Sequence, residues 1–204
     1  MKKIIITGGA GFIGSHLIEK LIKTEVEEIL VIDDLSTGKN ANLSKFNNSN
    51  KIKFINKKVE DVQNLGETFE GYDFCYHLAA GVGVQYIMEN LSKSLLTNIL
   101  ATHEVFEACK KNNIPVLVTS TSEVYGDPKV MPQSETYWGN VNPIGIRSCY
   151  DEGKRAAETL CFDYRRQYGL DTRVIRIFNT YGPNMAVADG RVVSNFIVQA
   201  LSNR

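Results

Sequence analysis

At 204 residues the chain has the size of one large domain, enough to bury a core without disulfide or metal staples. Hydrophobic residues make up 43% of it and charged residues 23%, which excludes disordered and fibrous classes. Lysine plus arginine and aspartate plus glutamate number 23 each, so the chain lacks the electrostatic footprint of a general nucleic-acid binder.

The opening residues Met1 to Thr7 reach glycine after three isoleucines, too short a run for a secretory signal or a membrane span, and no later apolar run is long enough either. Cys75, Cys109, Cys149 and Cys161 are irregularly spaced, and three of them fall within predicted strands or helices. A reducing, cytoplasmic setting is the expectation, with no membrane and no nucleic-acid partner. His16, His77 and His103 are scattered, and no His/Cys/carboxylate group has metal-ligand spacing, so no metal is expected.

In chain order, short apolar runs predict strands at Lys3–Thr7, Ile29–Asp33, Ile52–Asn56, Phe74–Leu78, Val116–Ser120 and Arg173–Phe178. Helical periodicity predicts helices at Phe12–Lys23, Leu91–Asn112 and Tyr150–Tyr168, the last closed by Gly169. Asn40 to Lys51, dense in Asn, Ser and Lys, reads as a solvated loop. Strand–helix alternation over the whole length implies an α/β fold, a doubly wound parallel sheet of the Rossmann type.

Directly after the first strand, Gly8, Gly11 and Gly14 stand three apart. Such glycines permit a tight turn and close backbone approach, so that a pyrophosphate can sit on the following helix N-terminus. A glycine-rich turn without a ligand is the alternative. Asp33 ends the second strand, where an acidic side chain can accept hydrogen bonds from an adenosine ribose, and this context favours a dinucleotide. A carboxylate there repels a 2′-phosphate and no arginine follows in Asp34 to Gly38, so NAD is expected over NADP. Asp61, beside Val62, could contact the adenine or serve as a helix N-cap.

A second constellation is Thr121-Ser122-Glu123 after the fifth strand, followed by Tyr150 and Lys154. Four residues apart on one helix face, Tyr150 and Lys154 would let the ammonium lower the phenol's pKa and make it a general base.

Together with His77-Leu78-Ala79-Ala80, these motifs resemble the extended short-chain dehydrogenase/reductase family in its nucleotide-sugar-modifying branch. The similarity covers essentially the whole chain. From Ser120 to Leu201, notably Tyr137-Trp138-Gly139, Asn142 to Gly145, Cys149 to Arg155, Arg176 to Pro183 and Asp189 to Phe196, it looks like the UDP-glucuronic acid decarboxylases. In this branch 4,6-dehydratases carry Thr-Asp-Glu and UDP-galactose 4-epimerases Ser-Ala-Thr at the triplet, whereas Thr-Ser-Glu is the decarboxylase pattern. The resemblance implies catalytic roles for Tyr150, Lys154, Thr121, Glu123 and Ser122. It implies cofactor contacts at Gly8, Gly11, Phe12, Ile13, Gly14, Asp33, Asp61, Val62, Leu78, Ala79, Ala80, Asn98, Tyr150 and Lys154, and sugar-nucleotide contacts at Asn179, Arg191 and Asn195.

The implied activity is NAD-dependent decarboxylation of UDP-glucuronate to UDP-xylose through a 4-keto intermediate. A 4-epimerase, a 4,6-dehydratase or a non-catalytic NAD-binding module are the alternatives. Residues 1–204 would form the NAD-binding domain, with 179–204 beginning the nucleotide-sugar region and the C-terminal substrate lobe largely absent. The resemblance further implies a homodimer pairing Leu91–Asn112 with Tyr150–Tyr168 as a four-helix bundle. One stretch departs from the pattern: Gly81 to Glu89 lacks the Ser/Pro-rich segment that borders the sugar in the decarboxylases.

Overall fold

The computed structural model describes residues 1–81, 84–187 and 189–203. Six strands form one parallel sheet: β1 (Lys3–Thr7), β2 (Glu28–Ile32), β3 (Ile52–Ile55), β4 (Phe74–His77), β5 (Val116–Thr121) and β6 (Thr172–Ile177). Their spatial order is β3-β2-β1-β4-β5-β6, so the winding reverses between β1 and β4. In such sheets the carboxyl ends of the two strands at the reversal open the crevice that takes ligands.

Alternation along β1 divides the core between the two sheet faces. Ile4 and Ile6 pack with Ile29, Val31 and Ile18 of helix α1 (Phe12–Leu21) on one face. Ile5 packs on the other with Cys75, Val116, and Val105 and Phe106 of α5 (Leu91–Asn112), and with Cys161 and Tyr164 of α6 (Ser148–Tyr168). Both faces of the sheet centre are therefore apolar, which is why these strands read as continuous Ile/Val runs. The four cysteines are free thiols, and Cys75, Cys109 and Cys161 are buried. Helix α6 ends where Gly169 adopts φ +70°, a left-handed cap.

The remaining helices are short, except the last: α2 (Asn40–Ser44), α3 (Leu65–Thr68), α4 (Val84–Glu89) and α7 (Val192–Leu201). The Asn40 to Lys51 segment is thus not wholly a loop, because α2 buries Leu43 and Asn42. Of the atypical Gly81 to Glu89 stretch, Val82 and Gly83 lie outside the described residues. No residue of α7 is buried. Among the described residues no helix is long and apolar enough to cross a membrane.

Candidate active site

The loop after β1 and the loop after β4 meet at the winding reversal. Gly8 has φ +72°, and a methyl group added to it would lie 2.7 Å from the Ala79 nitrogen, so no larger residue fits. A methyl on Gly14 would press on the Gly8 carbonyl oxygen and lie 2.6 Å from Gly9 Cα. Gly11 differs: a methyl there meets nothing nearer than the Gly8 carbonyl oxygen at 3.3 Å, and Gly11 lines the cleft. It is also the N-cap of α1 and brings no side-chain cap, so the first N–H groups of that helix, which have no intrahelical acceptor, are left for a ligand.

Asp33 is buried beside this loop. Its Oδ2 accepts the Ala10 N–H at 2.9 Å and its Oδ1 the Leu35 N–H at 2.8 Å. Burial raises its pKa, and the two backbone N–H groups oppose that rise. Asn42 donates from Nδ2 to the Ala10 carbonyl at 2.8 Å, so α2 holds the same loop from its far side.

At the other end, Thr121 caps the 3₁₀ turn Ser122–Tyr125 by accepting the Glu123 N–H at 3.2 Å. Lys154 is buried and donates to the Thr119 carbonyl at 2.9 Å. Burial pushes its pKa down to about 8, against the pull of Glu158. Tyr150 is raised, first by burial; a hydrogen bond from Thr121 and the charge of Arg191 lower it, while Glu123 and Asp151 raise it. Lys154 is not among the groups that shift the phenol. The four-residue spacing puts both side chains on one helix face, but the ammonium runs to the β5 backbone. Asp151 is pushed up to about 6, first by burial and then by Glu123.

Gly8, Gly11, Phe12, Ile13, Gly14, Asp33, Leu78, Ala79, Ala80, Thr121, Ser122, Glu123, Tyr150, Lys154, Asn179 and Arg191 all line one cleft of about 870 Å³. Four expected residues do not line it. Asp61 is exposed at the end of the 3₁₀ turn Val59–Asp61, neither capping a helix nor facing the cleft, whose wall there is Lys57 to Glu60. Val62 packs against the apolar core. Asn98 is buried on α5 and accepts the Gly81 N–H at 3.3 Å, so its contact is with the loop after β4. Asn195 lies on α7 and donates to the Gly190 carbonyl at 3.1 Å.

Sequence reasoning missed Arg147, which lines the cleft with its guanidinium 3.6 Å from the Glu123 carboxylate. It also missed Lys57 and Lys58. No local pattern marks these residues; only the chain path brings them to the cleft. Arg191 pairs with Asp189 at 2.9 Å and donates to the Thr180 carbonyl at 3.3 Å. Among the described residues, no group of three or more His, Cys, Asp or Glu side chains could hold a metal ion.

A glycine-built helix start at the winding reversal, an acidic end to β2, and Tyr150 with Lys154 opposite a Thr-Ser-Glu turn define a dinucleotide-binding domain of the extended short-chain dehydrogenase/reductase class. Within that class the chain belongs to the GDP-mannose 4,6 dehydratase family, whose family model matches residues 5–204. It is 51% identical over 199 residues to UDP-glucuronic acid decarboxylase 6 from Arabidopsis thaliana, covering 98% of this chain and 57% of that one. The chain therefore spans little more than half the length of that relative. A solved UDP-N-acetylglucosamine 4-epimerase from Methanobrevibacter ruminantium M1 superposes with a TM-score of 0.89 at 32% identity, covering 100% of this chain and 64% of that one. UDP-glucuronic acid 4-epimerase from Bacillus cereus, solved with UDP-glucuronic acid and NAD, superposes with a TM-score of 0.88 at 29% identity, covering 99% and 64%.

Proposed function

We propose that the chain is the NAD-binding part of an enzyme that decarboxylates UDP-glucuronate to UDP-xylose. The observation that carries this reading is the 51% identity with a UDP-glucuronic acid decarboxylase over 98% of the chain, joined to a cleft that gathers the Thr121-Ser122-Glu123 triplet with Tyr150 and Lys154.

The residues present fit the cofactor. The uncapped start of α1 at Gly11 suits the pyrophosphate, Asp33 suits an unphosphorylated ribose, and the cleft of about 870 Å³ leaves room for a nucleotide sugar beside it. NAD, when bound there, supplies a reversible hydride acceptor. Tyr150 takes the proton from the sugar C4 hydroxyl, and Thr121, which lines the same cleft, orients the same oxygen. Once C4 is a ketone, the C6 carboxylate stands β to a carbonyl, so carbon dioxide leaves and the electron pair delocalises onto the C4 oxygen. Ser122 adds no acid that would expel a hydroxyl. Asn179 and Arg191 hold the sugar nucleotide, and residues 179–204 begin the region that binds it.

Exposed Leu96 and Leu100 on α5 and Phe162 on α6 support pairing of these helices across a homodimer, and the four free thiols support a cytoplasmic setting. A 4-epimerase is the second reading, favoured by the likeness to the Bacillus cereus enzyme.

The test follows UDP-glucuronate and NAD by NMR in a polypeptide of the relatives' length that contains this chain. UDP-xylose and carbon dioxide are expected. A C4 epimer or a 4-keto-6-deoxy sugar would overturn the reading of Ser122.

A further inference from the structure

Tyr150 and Lys154 occupy successive turns of α6, and the next residue of that stripe is Glu158. It is 8% exposed and does not line the cleft. A carboxylate so deep requires partners to offset its lost hydration. Arg176 of β6 supplies two, Nε to Oε1 at 2.9 Å and Nη2 to Oε2 at 2.7 Å, and the Ser120 hydroxyl donates to Oε1 at 2.5 Å. The third arm of the guanidinium, Nη1, donates to the Tyr125 hydroxyl at 2.9 Å and to the Glu135 carbonyl at 3.2 Å. Its plane also lies over the Tyr125 ring, 4.8 Å from the centroid.

One ion pair thereby touches every segment that carries the proposed chemistry. Glu158 belongs to the helix of Tyr150 and Lys154, Ser120 immediately precedes Thr121, and Tyr125 ends the turn of Ser122 and Glu123. We propose that Glu158 and Arg176 are positioning residues, a bracket that sets the Tyr150–Lys154 face against the Thr121-Ser122-Glu123 turn; the part of the proposal that concerns turnover rests on the function proposed above. The fork of Arg176 fixes direction as well as distance, which a lysine cannot do. A displacement of about 1 Å between reacting groups can cost on the order of 10²-fold in rate, so a bracket outside the cleft has leverage on the chemistry.

Two measurements test it. In the 204-residue protein, ¹³Cζ-tyrosine NMR gives the Tyr150 signal, assigned by its loss in Tyr150→Phe. Glu158→Gln and Arg176→Lys should move that signal, and Tyr125→Phe, which removes one arm without changing any charge, should move it too. In the longer polypeptide, Glu158→Gln and Arg176→Lys should lower kcat by roughly 10²-fold and Tyr125→Phe by about 10-fold. KM for UDP-glucuronate and the Kd for NAD should stay within about 3-fold, since neither residue of the pair lines the cleft. If Glu158→Gln fails to fold, Tyr125→Phe decides. A Tyr150 signal unmoved in folded variants overturns the bracket, and so does a loss of kcat no greater than the loss of folded protein. A moved signal in a protein that leaves UDP-glucuronate unchanged supports the bracket and overturns the function reading alone.

Discussion

The Asp33 carboxylate accepts the N–H of Ala10 at 2.9 Å, tying the end of β2 to the glycine loop that follows β1. The charge that would meet an adenosine ribose is thus fixed in place and buried, with Leu35 occupying its second oxygen at 2.8 Å. Rigid negative charge at this point repels a 2′-phosphate. Asp33→Asn keeps an acceptor for Ala10 and removes the charge. Its preference for NAD over NADP, read as the ratio of the two Kd values by calorimetry, should fall by at least about tenfold, or about 1.4 kcal/mol. An unchanged ratio would sink the role given to Asp33.

The loop glycines divide into two kinds, and alanine separates them. At Gly14 the added methyl strikes the Gly8 carbonyl and lies 2.6 Å from Gly9 Cα, so Gly14→Ala should cost roughly 1–3 kcal/mol and lower the Tm. At Gly11 the nearest atom is 3.3 Å away, and the methyl enters the cleft wall. Gly11→Ala should therefore fold with a Tm within a few degrees of wild type yet bind NAD at least about tenfold more weakly. Equal loss of binding and stability in both variants would contradict the division.

Much of this arrangement was legible in the sequence because local pattern and global fold agree there. Ile or Val residues fill most of β1 and β2 and recur in β3, β5 and β6, and all six strands lie within two residues of their expected ends. What was not legible depends on partners distant in sequence. Asn40 to Lys51 reads as solvated, yet Asn42 is buried because the Ala10 carbonyl awaits its amide across the loop. The four-residue spacing sets Lys154 on the helix face of Tyr150, but its partner is a β5 carbonyl, which no helical spacing reveals. The pairing of Glu158 with Arg176 joins a helix to a strand, and no spacing in the sequence reveals it.

His77 should make the fold acid-sensitive. The Thr102 hydroxyl donates to the Asn98 carbonyl at 2.7 Å, so it must accept from His77 Nε2, 3.2 Å away; Nδ1 then accepts from the Thr7 hydroxyl at 2.7 Å. The ring is held neutral, and burial, followed by the charge of Lys154, drives its pKa from 6.5 to about 3. The unfolded chain takes up this proton first, so the contribution is complete above pH 6.5 and is lost as the pH falls towards about 3. Within that window the slope can reach about 1.4 kcal/mol per pH unit. Urea midpoints for wild type should fall between pH 7 and pH 4 more steeply than those of His77→Gln. Parallel curves would exclude this origin.

Tyr150 carries the proposed proton transfer, and its surroundings set the pH at which it can act. Burial holds the phenol above its ordinary value, which disfavours the phenolate, and the hydrogen bond with Thr121 works the other way. In the longer polypeptide, kcat/KM for UDP-glucuronate should therefore rise with pH through the neutral and alkaline range as the phenolate fraction grows. Tyr150→Phe keeps the ring but removes the acceptor, so turnover should fall by roughly 10²–10⁴-fold with NAD still bound. Thr121→Val removes the partner that stabilises the phenolate, so the rising limb should move to higher pH and the maximal rate should fall as well. These two variants separate base from orienter: one abolishes the limb, the other displaces it. A Thr121→Val limb that stays put, or moves to lower pH, would contradict the hydrogen bond as the source of the shift. Turnover retained within a few-fold in Tyr150→Phe would assign the base to another group.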